Sequence, residues 1–138
     1  MSEGQLTREQ ITERVAQALV QALGVSRGDI TPETSLVGDL EAESIDFLDV
    51  IFRLEKEFGL EIARGELFPQ ELLRDAAMVS GGRLTREGAA ALQQRFEFTD
   101  GSALQAGASV DDLMNDLLTV RLIIDFVVSK LRPAVPRA

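Results

Sequence analysis

The chain contains no cysteine and no histidine. Without thiols it can form no disulfide, no thiolate zinc site and no cysteine nucleophile. Without imidazole it loses the side chain best suited to proton transfer near neutral pH, so a Ser-His-Asp triad and the common zinc hydrolase sites are excluded. Trp and Tyr are also missing, which leaves seven Phe as the only aromatics. Basic residues are in the minority, 14 against 23 acidic, for a formal charge of −9. That balance argues against nucleic acid, since phosphate binding needs clustered Lys and Arg to release counterions. It favours partners with basic surfaces. No apolar run approaches the length needed to cross a bilayer. The N-terminal MSEGQLTREQ lacks the basic-then-apolar order of a signal peptide. A cytoplasmic protein without membrane insertion is therefore expected. Carboxylates, Ser, Thr, Arg and two Lys remain for catalysis, and nothing raises one carboxylate above its neighbours. No catalytic residue and no metal ligand is assigned, and the chain is expected not to be an enzyme.

What is present suits one globular domain over residues 1–138. The length is that of a single core, and 45% of residues are hydrophobic. Ile11, Val15, Leu19, Ala22 and Leu23 recur at helical spacing. Thr7 and Gln10 suit a capping box before them and Gly24 a stop after them, which predicts a helix over 8–23. Residues 25–39, with Pro32, Gly28 and Gly38, read as an ordered loop held by its own apolar side chains. A second helix is predicted over 44–58, capped by Ser44 and stopped by Gly59, with Leu48, Ile51, Leu54 and Phe58 facing inward. Glu66 to Val79 has helical tendency broken by Pro69, Ser80-Gly81-Gly82 is a turn, and Thr85 suits the cap of a short helix ending near Phe96. Thr99 to Ala108 reads as the most mobile connection. Val110 to Leu131 is helical again, as one helix or two, because Ser109 and Thr119 are both good N-caps. Pro133 and Pro136 lie in a loose tail at 132–138. Nothing alternates strongly enough for a sheet strand, so the fold class is all-α.

The segment from Asp39 to Glu61 holds eight acidic residues against two basic ones, a net of −6 and so two thirds of the chain's charge. Ser44 opens the second helix inside this segment. By residue type alone, Ser44 is a helix N-cap. A hydroxyl beside the unpaired N–H groups of a helix start also suits an anionic substituent such as a phosphate. The surrounding carboxylates would repel a free anion yet guide a basic protein to the spot. That combination favours a group installed and read by partner proteins.

Several runs, in order and nearly without gaps, resemble the acyl carrier protein family. They are Ile11-Thr12-Glu13-Arg14-Val15, Leu23-Gly24-Val25, Ile30 to Leu36, Asp39-Leu40, Glu43-Ser44-Ile45-Asp46 and Leu54 to Ile62. The resemblance covers residues 8–62 and resumes at Thr119-Val120 and Ile124 to Val127. It implies a four-helix bundle with Ser44 as the attachment site of 4′-phosphopantetheine, whose thiol holds acyl groups as thioesters. A chain without cysteine would then import its thiol. The resemblance also implies a phosphopantetheinyl transferase and acyl-transferring or condensing enzymes as partners. Their basic patches would meet Asp39, Glu43, Asp46, Asp49 and Glu55, with Ile45 and Phe52 as apolar contacts; by charge pattern alone these carboxylates are a solvated helix face.

Two features depart from the family. Glu43-Ser44-Ile45 replaces its usual Asp-Ser-Leu, and residues at about 63–108 form an insertion between the second and last major helices, expected to be helical. The insertion's Leu67, Phe68, Leu72, Leu73, Met78, Val79, Leu84, Leu92, Phe96 and Phe98 suit either a core of their own or an enlarged or lidded acyl cavity. Both departures point to a specialised lipid or polyketide-like pathway. The rival reading is an unmodified interaction module binding basic partners through the same acidic helix. A calcium loop starting at Asp39 fails, because Ser44 and Val50 stand where Gly and Glu are required.

Overall fold

The helices predicted over 8–23, 44–58, from Thr85 to near Phe96 and over 110–131 are present in the computed structural model, which describes residues 6–63, 65–69, 72–98 and 104–131; of Ser44 it describes the backbone alone. The tail at 132–138 and the first part of the Thr99–Ala108 connection lie outside the described residues. Helix α1 (Arg8–Leu23) starts from the expected capping box of Thr7 and Gln10 and stops at Gly24, whose φ of 68° is the left-handed conformation glycine tolerates. Its buried stripe is Ile11, Val15, Ala16, Ala18 and Leu19. Helix α2 (Ser44–Phe58) stops at Gly59 in the same way. Helices α1 and α2 pack against each other, and α1 also packs against the last helix, α5, defined below.

The loop between α1 and α2 is ordered, as its composition suggests. A single 3₁₀ turn at Arg27–Asp29 is clamped to α1 by the ion pair Arg27–Glu13, 2.8 Å. The Arg27 hydrogen bond, aided by Gln17, draws the Glu13 carboxyl from its ordinary 4.5 down to about 2. Ile30 and Leu36 from this loop are buried.

The segment at about 63–108, expected to be a helical insertion, is only partly helical. Pro69 precedes a 3₁₀ turn at Leu72–Arg74 in place of a longer helix. Strands β1 (Val79–Ser80) and β2 (Arg83–Leu84) then form a two-residue hairpin around Gly81 and Gly82, with φ of 60° and 77°. Two consecutive left-handed residues are what a tight hairpin turn needs, so the expectation of no strand is corrected here. Helix α3 (Arg86–Arg95) follows, capped by Thr85 Oγ1 accepting from the Gly88 N–H. Thr119 interrupts the final helical stretch, giving α4 (Val110–Asp116) and α5 (Val120–Leu131), with Ser109 capping the first.

The segment expected to be an insertion shares one core with the bundle. Leu67, Phe68, Leu84, Leu92 and Phe96 join the same buried cluster as α1, α2 and α5. Phe68 stacks on Phe47 of α2, and Phe98 bridges edge-on between Phe96 and Phe126 of α5. The half-buried pair Lys130–Glu66 (2.8 Å) closes the seam. Burial raises the Glu66 carboxyl, but the Lys130 ammonium and the Ala63 N–H outweigh it and leave it below its ordinary value. Backbone pairing adds to this: the Leu84 N–H donates to the Ala108 carbonyl, and the Val110 N–H to that of Gly82.

Candidate functional site

Ser44 is the first residue of α2, and the position before it, which ends the non-helical chain, is Glu43. The cap is thus made one residue earlier than the sequence suggests. The Glu43 N–H donates to Asp46 Oδ2 at 2.8 Å, and the Asp46 N–H donates to the Glu43 carbonyl. A serine at the first helical position is not required for capping. A helix start of this kind suits an anionic group joined to the hydroxyl through an ester, because peptide dipoles and unpaired N–H groups are concentrated there.

The chain reaches this point through a tightly held turn. The Leu36 N–H donates to the Leu118 carbonyl, and the Val120 N–H to that of Thr34, so the α4–α5 junction anchors the loop. The Asp39 carboxylate accepts the Ser35 N–H at 2.8 Å, and Ser35 Oγ accepts the Gly38 N–H at 2.9 Å. Glu41 then turns the backbone at φ 56°, the one described non-glycine residue with positive φ.

Around the start of α2 the structure brings together most of the residues singled out from sequence. Glu43, Ile45 and Phe52 are exposed, and Asp46 and Asp49 are half-buried. Asp49 pairs with Arg53 one turn on at 3.2 Å. Two residues have a further role within the chain. Asp39 is exposed but holds the loop, and Glu55 is half-buried, with Oε2 accepting the Ile62 N–H at 2.9 Å.

The inward face of α2 differs from expectation. Phe47, Val50 and Leu54 are buried, with Ile51 and Phe58 half-buried beside them, whereas Leu48 is 68% exposed. Leu48 lies between Ile45 (72%) and Phe52 (57%), and these three are the exposed large apolar residues among those described. They form an i, i+3, i+7 stripe. The Lys56 ammonium sits 5.2 Å from the Phe52 ring centroid and so brings one cation to the far end of the stripe. Leu48 was missed because a ladder through it fits helical spacing as well as the true one. The usable signal was surplus: eight of the fifteen residues in α2 are large and apolar, more than one face can bury. A stripe of apolar residues rimmed by carboxylates is suited to a protein partner with an apolar centre and a basic rim.

Among the described residues no group of three or more carboxylates is placed to hold a metal ion, and no helix is long and apolar enough to cross a membrane.

Comparison with known proteins bears on the same segment. The family described as a phosphopantetheine attachment site matches residues 13–75. The acyl carrier protein of Rubrobacter xylanophilus is 40% identical over 57 residues, which are 41% of this chain and 70% of that relative. No solved structure matches the chain. The matching domain is the one that receives phosphopantetheine, the helical fold agrees with it, and the chain belongs to the acyl carrier protein family.

Proposed function

We propose that Ser44 carries the 4′-phosphopantetheine arm and that the protein delivers acyl groups to partner enzymes docking on α2. One observation carries the reading: a serine at the first position of α2, inside the family match, heads the exposed stripe Ile45, Leu48 and Phe52. Glu43, Asp46 and Asp49 border the stripe, and Asp39 and Glu55 extend the acidic margin while bracing the backbone.

In the loading reaction the Ser44 hydroxyl oxygen forms a bond to the pantetheine-side phosphorus of coenzyme A. The P–O bond to adenosine 3′,5′-bisphosphate breaks, and the hydroxyl proton passes to a base of the transferase. When bound, the arm supplies the thiol that holds an acyl group as a thioester. This chain contributes the anchoring oxygen, a helix start that tolerates the phosphodiester charge, and a surface that partners read. Chemistry on the acyl group belongs to the partners, which are a phosphopantetheinyl transferase and acyl-transferring or condensing enzymes with basic docking patches. We place the protein in a specialised lipid or polyketide-like pathway on the strength of the insertion and of Glu43-Ser44-Ile45.

The test is intact mass after incubation with coenzyme A and a broad-specificity phosphopantetheinyl transferase, beside Ser44→Ala. A gain of one arm on the wild type alone is expected. No gain by folded wild-type protein with several transferases would leave an unmodified interaction module as the better reading. A gain in the alanine variant would mean another residue is the anchor.

A further inference from the structure

The stripe on α2 is not bordered by carboxylates along its whole length. Ile45, Leu48 and Phe52 run on at the next turn into Lys56, which at 100° per residue lies within about 20° of Ile45 around the helix. Lys56 is twelve residues beyond Ser44, or about 18 Å along the axis. Over that distance the charge changes sign. Glu43, Asp46 and Asp49 stand towards the Ser44 end, and Arg53 and Lys56 towards the other.

Lys56 is exposed, and its own helix offers it no carboxylate. The residues three and four positions away, which are its neighbours on a helix surface, are Phe52, Arg53, Gly59 and Leu60. The acidic side chains close by have other partners. Asp49 pairs with Arg53 at 3.2 Å, Glu57 pairs with Arg14 at 3.2 Å, and Glu55 accepts the Ile62 N–H at 2.9 Å. Among the described residues no ion pair holds Lys56, whose ammonium rests 5.2 Å from the Phe52 ring centroid. The ring face attracts the cation but accepts none of its N–H groups in the way a carboxylate does.

Lys56 and Phe52 also line a groove of about 370 Å³ between α1 and α2. Ala18 of α1, 6% exposed, lies in it, and its small side chain leaves the room there. Gln17 and Gln21 form the α1 side. The Gln21 oxygen accepts from the Arg53 guanidinium at 3.0 Å, which leaves its NH₂ for an acceptor. With Asp49 and Glu57 already paired, the charge left over in this groove is the positive one of Lys56.

We propose that the groove takes a carboxylate side chain of the partner protein that docks on α2, held by Lys56 and the Gln17 and Gln21 amides beside the Phe52 ring. Such a partner meets two signs of charge in a fixed order, acidic near Ser44 and basic about 18 Å further on, and so docks in one direction along the helix. The reversed pose sets like charges against each other at both ends. A second copy of this chain would bring its own acidic excess against the same face, so a separate protein is favoured as the occupant. The inference rests on Ser44 being the anchor, since loading there is what brings a partner to α2. A lysine in the last turn also suits the helix dipole, a role that would show in stability and not in loading.

The test measures kcat/KM for loading of the full chain by coenzyme A and a broad-specificity phosphopantetheinyl transferase, with melting curves on every variant. Lys56→Gln should lower kcat/KM about threefold and Lys56→Glu about tenfold, while Lys56→Arg stays within about twofold of wild type. Gln21→Glu, an isosteric change that adds an anion on the opposite wall, should lower it as well. Raising salt from about 50 mM to about 500 mM should shrink all these differences. The sign of the effect is decisive. If only basic partner residues face α2, replacing a cation by an anion speeds loading, so Lys56→Glu or Gln21→Glu loading as fast as wild type or faster overturns the inference. It is also overturned if Lys56→Glu loses melting temperature but not kcat/KM, which is the dipole role alone. Sedimentation showing a wild-type dimer that Lys56→Glu dissociates would assign the groove to a second copy and overturn it too. Absence of any mass gain on the wild type refutes the anchor itself and is read before any rate.

Discussion

Truncating two leucines of α2 separates the surface of this protein from its core. Leu48 and Leu54 are six residues apart, which at 100° per residue places them about 120° apart around the helix. Leu54 is fully buried among α1, α2 and α5 residues, and Leu48 is 68% exposed. Leu54→Ala removes a fully buried side chain and leaves a cavity, at about 2–5 kcal/mol. Against a domain stability of about 5–15 kcal/mol that is a large fraction. For a chain of this size it should lower the melting temperature by roughly 10 °C. Leu48→Ala should stay within about 0.5 kcal/mol of wild type, because the side chain is already in water and alanine is a good helix former. Its effect should appear with a partner. The loading rate by a phosphopantetheinyl transferase, as kcat/KM, should fall about fivefold to tenfold, the loss of about 1 kcal/mol or more at an apolar interface contact. Thermal melts and loading kinetics on both variants suffice. If Leu48→Ala lost as much stability as Leu54→Ala, α2 would be rotated about its axis from the orientation described, and the stripe would not exist.

Three further outcomes follow from single contacts. Gly88→Ala should destabilise the protein by about 1–3 kcal/mol although alanine favours helices, because the new Cβ would lie 2.1 Å from the Met78 backbone oxygen; a melt at or above wild type would contradict this. Asp39→Ala should cost about 1–2 kcal/mol by leaving the Ser35 N–H without its carboxylate partner, whereas Asp39→Asn should retain most of it; equal losses in urea titrations would show the carboxylate's charge to matter more than the hydrogen bond. Glu13 has its folded pKa depressed to about 2 from an ordinary 4.5, so its contribution is present above pH 4.5 and fades as pH falls from there towards 2. Glu13→Gln should therefore make the acid limb of the stability–pH curve shallower in that window, less so in high salt, since both partners are exposed.

Much of the fold could be read from local patterns. The bounds of α1 and α2 followed from 3.6-residue periodicity closed by glycines that stop a helix in the left-handed conformation. Thr7 and Thr85 cap where their side chains allow, because capping depends on a few adjacent residues. The serine's prominence was local too, since it rests on its place before an amphipathic run within a block of acids.

Other features depend on contacts between distant parts of the chain. Which of two equally periodic ladders on α2 turns inward was settled by what α1 and Phe68 present to it, so Phe47 and Val50 went in and Leu48 out. Two-residue strands carry too little pattern to be seen, and β2 is held by carbonyls some two dozen residues further on. Asp39 and Glu55 looked like surface charges until the backbone placed the Ser35 and Ile62 N–H groups against them. The insertion likewise showed apolar residues but no destination for them. Residue types and spacing are enough to state that a segment will be helical, where it stops and that a hydroxyl stands at its head. Where each apolar surplus goes is decided by complementary surfaces brought together from across the chain, since close packing acts between side chains and not along the sequence.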